Sequence, residues 1–197
     1  MHTRFAPSRL LLAAALLALF VLPLPTQASD SPEAAFEGVR KAVKAGDYEA
    51  IVDLVAPSER VLMAFSLDMG VDMAVSFWEG DEAKAAQETY AALKKKHKVK
   101  SADDGPELAI DSNTSQEEID AHMMRRAEAM FDGVDLKAYI SGLLGFFLKS
   151  PMMEGQELFP SVDLTDLQID GDRASAQAGD AKIDFLREDG RWYLASP

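Results

Sequence analysis

The last 36 residues constrain the fold most. From Val162 onward, runs of six to eight residues are separated by Asp170-Gly171, Gly179-Asp180 and Asp189-Gly190, dipeptides whose tolerance of positive φ suits tight antiparallel turns. Within the runs, side chains alternate: Ala174, Ala176 and Ala178 share one face, as do Ile183 and Phe185, and Trp192 and Leu194. A slip of one residue would send each set to the opposite side of the sheet, so the pattern fixes register. The spacing predicts a four-strand meander over approximately 162–169, 173–178, 182–187 and 191–195.

Ahead of the meander the period lengthens to that of a helix. Ser31 before Pro32 reads as an N-cap and first helical residue, with Phe36, Val39 and Val43 inward until Gly46. Asp47 caps a second, short helix carrying Ile51, Val52 and Val55, which Pro57 stops. Ser58 opens a third, with Leu62, Phe65, Met69, Met73 and Phe77 as its apolar stripe, and Gly70 in its middle marks a kink or a close helix crossing. Asp81 caps a fourth, with Ala86, Tyr90 and Leu93 on one face. Residues 99–114 read as a loop with a short strand near 108–110. Ser115 and Glu118 form a capping box for a fifth helix through Ile119, Met123, Ala127 and Met130, ended by Gly133. Asp135 begins a sixth, through Leu136, Tyr139, Ile140, Leu143, Leu144 and Phe147, closed before Pro151. About six helices followed by an antiparallel sheet give an α+β class, with the helices packed on one face of the sheet.

The first 28 residues stand outside that fold. Arg4 and Arg9 precede an uncharged run of 13 residues, Leu10 to Leu22, and then Pro23, Pro25 and the small residues Thr26 and Ala28. That is the order of a secretory signal, with cleavage expected between Ala28 and Ser29. As a helix the run reaches only about 20 Å of a hydrocarbon core of ~30 Å, too short for a membrane anchor. No later stretch is long and apolar enough to span. The expected mature chain is therefore exported, periplasmic or secreted, without stable membrane insertion. It forms a single domain over 29–197, mainly helical over 29–160 and a β-meander over 161–197.

Charge and cysteine content narrow the chemistry. The chain holds 20 Lys and Arg against 33 Asp and Glu, a net charge of −13; losing residues 1–28 removes two basic residues and no acidic one, leaving 18 against 33, or −15. So acidic a surface argues against nucleic acid as partner, because phosphate contacts need clustered Lys and Arg. The chain has no cysteine, which excludes disulfides, thiolate metal ligands and a cysteine nucleophile.

The sequence at each end resembles a known family. SPEAAFEGVRKAVKAGDYEAIVDLVAP near the start and GDRASAQAGDAKIDFLREDGRWYLA at the end are similar to exported members of the nuclear transport factor 2-like (cystatin-like) superfamily. The resemblance implies a curved sheet against helices enclosing a cone-shaped cavity, a scaffold that serves isomerases, dehydratases, binding modules and interaction domains alike. The middle, Ser58 to Pro160, departs from the family pattern: it is longer, and helical where the family has its first strands. The residues expected to line such a cavity are Ala174, Ala176, Ala178, Phe185 and Trp192, since small side chains on an inward face leave space that either a ligand or a closely packed helix fills.

The remaining candidates each have a plain structural alternative. His122 follows Glu118 by one helical turn, an acid/base pair or an ordinary i,i+4 contact. Asp184 or His122 combined with Tyr48 or Tyr139 supplies the base and donor of a proton-transfer site on paper, but no spacing forces them together. Eight methionines of the mature chain offer thioethers suited to Cu(I), or simply fill the core. LKKKHKVK at Leu93–Lys100 is an anion site or a helix end complemented by cations. ISGLLGFFL at Ile140–Leu148 is a buried helix or an exposed partner surface. There is no phosphate loop, dinucleotide fingerprint or nucleophile elbow, and we expect no cofactor and no metal. The sequence thus points to a non-enzymatic module of the cell envelope that binds a small apolar ligand or a protein, with a cofactor-free lyase or isomerase as the alternative.

Overall fold

The computed structural model describes residues 29–101, 114–150 and 163–195, in which six helices precede a four-stranded antiparallel sheet. The expected leader with Ala28, the strand near 108–110, Pro151 and the methionines at 152 and 153 lie outside the described residues. The helices are α1 (Pro32–Ala45), α2 (Tyr48–Asp53), α3 (Arg60–Ser76), α4 (Gly80–His97), α5 (Gln116–Met130) and α6 (Leu136–Leu148). The strands are β1 (Leu164–Asp170), β2 (Arg173–Ala178), β3 (Ala181–Glu188) and β4 (Arg191–Leu194), ordered as in the chain.

Local chemistry sets the helix starts. The Ser31 and Asp47 side chains accept from the backbone N–H groups of Ala34 and Ala50, at 3.2 and 3.0 Å. Asp135 does the same for Ala138 at 3.1 Å, and Ser115 with Glu118 closes a capping box. Each satisfies donors that the first turn leaves without an intrahelical acceptor. Two boundaries differ from the sequence reading: Pro57 opens a short 3-10 turn that delays α3 to Arg60, and α4 starts at Gly80.

Helix α3 also turns a different face inward from the one expected. Its buried side is Ala64, Phe65, Asp68, Val71 and Val75, while Met69, Met73 and Phe77 are 46, 56 and 78% exposed. Apolar residues surround this helix, so no stripe in the sequence marks its phase. Gly70 faces open space, so no helix crosses there.

Two cores result. Helix α1 covers one face of the sheet: Ala35 and Phe36 pack on Ala174, Ala176, Ala178, Phe185 and Trp192, with Leu164, Leu167, Ile183 and Leu194 around them. The register behind this face pairs Ala174 with Phe185 and Ala176 with Ile183, and the β3–β4 turn places both Asp189 and Gly190 at positive φ, as a type I′ hairpin requires. The second core lies among α2 to α6 and is built on Val52, Phe65, Tyr139, Ile140 and Leu143. Loop residues just after α2 join the two. Leu194 donates to the Leu54 carbonyl at 2.8 Å, and Ala56 donates to the Leu194 carbonyl at 3.1 Å. Trp192 donates to the Ser29 carbonyl at 2.9 Å, so the free edge of β4 is capped by chain from both sides of α1 and α2.

The alanine face of β2 has no room for larger groups because Phe36 lies on it. Ala176→Leu is expected to destabilise the fold by about 1–3 kcal/mol through overpacking. Met73→Ser, on the exposed side of α3, should stay within about 0.5 kcal/mol. Urea unfolding of the two variants checks both the sheet covering and the phase of α3.

Candidate functional site

The residue with the most unusual surroundings is Asp68, whose side chain is carried into the helical core by the inward face of α3 and is only 3% exposed. A carboxylate taken from water at such a position must be paired and hydrogen-bonded. Tyr90 of α4 donates its hydroxyl to Asp68 Oδ1 at 2.7 Å, Tyr139 of α6 donates to the same oxygen, and Lys94 of α4 reaches Oδ2 at 3.1 Å. Burial, and then the hydrogen bond and charge of Asp68, push both tyrosine hydroxyls far above their ordinary range. The four residues form a closed network: both carboxylate oxygens and both phenolic protons are engaged, and apolar side chains of three helices surround them.

Beside this network α4 and α6 diverge at the surface. They run antiparallel, with the His97 ring against Tyr139 at one end (centroids 5.6 Å apart) and Trp78 stacked on Phe146 at the other (6.4 Å). Between them lies an open groove of about 1070 Å³, walled by Ala83, Ala86, Leu93, Gly142, Gly145 and Phe146, with Trp78, Glu79, Lys149 and Ser150 at one end and Lys96 at the other. Gly142 lets α6 approach α4, and Gly145 lets it approach α2. A Cβ on Gly142 would stand 2.7 Å from Leu93, and one on Gly145 would stand 3.2 Å from Tyr48. Ser150 is 6% exposed and its hydroxyl has no hydrogen-bond partner among the described residues.

A smaller pocket of about 390 Å³ lies against the sheet, with Glu59, Arg173, Ser175, Lys182 and Asp184 among its lining. Its charges are partly matched: Lys182 sits 2.7 Å from Asp184. Asp68, Tyr90 and Tyr139 line neither this pocket nor the groove.

Of the residues singled out from sequence, Ala174, Ala176, Ala178, Phe185 and Trp192 come together as one buried cluster, against Ala35 and Phe36. Ser29 is buried at the edge of β4. The paper combinations of acid and donor are not assembled. Asp184 is on the sheet beside Lys182, whereas Tyr139 is in the helical core on Asp68. Glu118 accepts from the Ser115 N–H and hydroxyl, which hold it below the usual carboxylate range, and no bond joins it to the buried His122. The basic run ends α4 as cations suit a helix C-terminus, with Lys94 on Asp68 and Lys100 on Asp132 at 2.9 Å. Ile140, Leu143 and Leu144 are buried at the centre of the helical core, and none of the exposed large hydrophobics belongs to that helix. Met69 and Met73 are exposed rather than core, whereas Met130 is buried. Among the described residues no group of three or more His, Asp or Glu is arranged to hold a metal ion.

Sequence reasoning passed over Asp68 and the α4–α6 groove. The signal for Asp68 was a carboxylate inside an otherwise apolar helix; the signal for the groove was the pair of glycines one turn apart in α6 with alanines along α4.

Removing the carboxylate strands the Tyr139 hydroxyl, leaves Tyr90 only its 3.1 Å bond to the backbone carbonyl of residue 68, and unpairs the Lys94 ammonium. Asp68→Ala is expected to cost about 3–5 kcal/mol, and adding Tyr90→Phe and Tyr139→Phe should recover part of that loss. The tyrosines also set an alkaline limit. Their protons are retained in the fold but released by an unfolded chain near pH 10, so the stability they confer is complete below about pH 10 and falls as pH rises beyond it. Denaturant midpoints measured on either side of that pH check this, and the double Tyr→Phe variant should flatten the decline.

No family model, curated protein or solved structure matches the chain, so what it does is argued from its own residues.

Proposed function

We propose that the protein is an exported, non-enzymatic binding module, related in scaffold to the nuclear transport factor 2-like superfamily, that takes a small apolar ligand in the groove between α4 and α6. The groove itself carries this reading: about 1070 Å³ of space between two helices, walled mainly by Ala, Gly, Leu and Phe. Ligand sites are typically concave, mostly apolar clefts of about 300–1,000 Å³ with few polar groups. The scaffold reading is supported by where the two family-like segments fall. The first covers α1, α2 and the residues that bridge to Leu194, the second covers β2 to β4, and they meet through Ala35 and Phe36 on the sheet and through the bridges to Trp192 and Leu194. Export is supported by the basic, apolar and small-residue order of residues 1–28.

The inward face of the sheet is a poor ligand site because Phe36 fills it. The enzymatic alternative would need an acid or base with a free lone pair or proton facing a substrate. Asp68, Tyr90 and Tyr139 have the type of residue and the shifted hydroxyls, but each is engaged by another and enclosed. Binding without chemistry is what an apolar groove of this kind supports.

Binding of the neutral apolar dye Nile red tests the site. Ala92 is an exposed wall residue, and Ala92→Trp is expected to weaken dye binding about tenfold or more, a loss of at least ~1.4 kcal/mol. Ser175→Trp in the sheet-face pocket should leave binding unchanged. Equal dye binding by Ala92→Trp and the parent protein would remove the groove from consideration.

A further inference from the structure

Resting on that binding reading, we infer that the ligand is a single-chain fatty carboxylate, its chain lying along α4 and its head group at Ser150 and Lys149.

The polar requirements of the groove are concentrated at one end. Ser150 lines that end, is buried, and holds a hydroxyl with no acceptor. A buried donor left unmade is costly, and an incoming acceptor oxygen relieves it. Lys149, the preceding residue, lines the same end and is exposed, so that end of the groove carries a cation. A carboxylate accepts from both, and a charge-assisted bond of this kind is stronger than a neutral one. Glu79 also lines this end, while Lys96 lines the opposite one. Among the described residues the lining carries two cations and one anion, in a chain whose acidic residues outnumber its basic ones by 33 to 20, a local reversal that favours an anionic head.

The rest of the wall asks for nothing polar. The Thr89 hydroxyl, midway along, already donates to the Ala85 carbonyl at 2.8 Å, and the residues around it are Ala86, Ala92, Leu93 and Phe146. From Ala83 to Lys96 this wall follows α4 for about 20 Å at ~1.5 Å per residue, a length suited to an extended acyl chain. A helix from a protein partner or from a second copy of this chain is about 10 Å across with its side chains and would lay an apolar stripe along this wall, without by itself supplying an acceptor for the Ser150 hydroxyl at its end. One anchored end and a long dry wall fit an amphiphile with a single head.

The full-length protein as produced by its host is titrated with decanoate, dodecanoate, tetradecanoate and hexadecanoate below their micelle-forming concentrations. Calorimetry and the fluorescence of Trp78, which lines the groove, are the two readouts. Affinity should rise about fourfold per added methylene, the equivalent of ~0.8 kcal/mol each, until the groove is filled. Ser150→Ala and Lys149→Gln should each weaken hexadecanoate several-fold, and by more than they weaken the uncharged Nile red. Hexadecanol should bind more weakly than hexadecanoate. If hexadecanol and hexadecyltrimethylammonium bind as tightly as hexadecanoate, or if Ser150→Ala and Lys149→Gln leave hexadecanoate unaffected, the carboxylate assignment falls. The apolar binding reading then stands on the dye and its loss in Ala92→Trp. A dimer in solution that Ala92→Trp dissociates would give the groove to a second copy and overturn the assignment. Failure of every apolar probe, dye included, overturns both readings together.

Discussion

A single carboxylate inside the helical layer governs how that layer is arranged. Asp68 comes from α3, but the groups that make its burial tolerable come from α4 and α6: the hydroxyls of Tyr90 and Tyr139 on Oδ1 and the Lys94 ammonium on Oδ2. Hydrophobic packing alone is indifferent to small slides of one helix along another, whereas a charge in a low-dielectric interior tolerates only the placement that satisfies it. The hydroxyls of Tyr90 and Tyr139 meet at one oxygen, so the separation of α4 and α6 at that level is fixed by two hydrogen bonds that share an acceptor. The groove on the outer side of the same two helices is consequently held at a set width, with Gly142 and Gly145 admitting Leu93 and Tyr48 where any Cβ would push them away.

Helix α1 bridges the two cores, with Ala35 and Phe36 in that of the sheet and Ala42 and Val43 in that of the helices, whereas α2 belongs to the helices through Ile51 and Val52. The boundary between the two is the segment from Leu54 to Ala56, whose backbone bonds Leu194 on the edge of β4. Ser58 of the following turn also donates to Glu188 of β3.

What was legible in the sequence was what local chemistry decides. Ser31, Asp47, Ser115 and Asp135 mark helix starts because a side-chain oxygen satisfies donors within three residues of itself, and Asp189-Gly190 marks a hairpin because the turn needs positive φ at both positions. The alternation of Ala174, Ala176 and Ala178 revealed a face, but not that Phe36, some 140 residues earlier, would cover it. Phase failed in α3 for a physical reason: with apolar residues on all sides, the decisive residue was polar. An aspartate among Leu, Met and Val reads as the solvent side, and only partners 22 and 71 residues away reverse that. The groove was illegible on the same ground, as its walls are separated by some 45 residues and acquire a common surface only after Asp68 has set their distance.

Two of the buried polar groups of the helical layer, Asp68 and Ser150, differ in a way that bears on function. Asp68 is enclosed and fully partnered, so its free energy is lowest when nothing changes around it; a group in that state confers register and resists reaction. Ser150 is enclosed at the groove's end and unpartnered, so its free energy falls when an acceptor arrives. Both have a rationale in one design: the satisfied network makes the walls rigid, and the unsatisfied hydroxyl leaves a place for a ligand atom to complete. Rigid walls reduce the ordering cost of binding, which matters for an apolar groove whose gain per methylene is modest and whose specificity depends on one polar end.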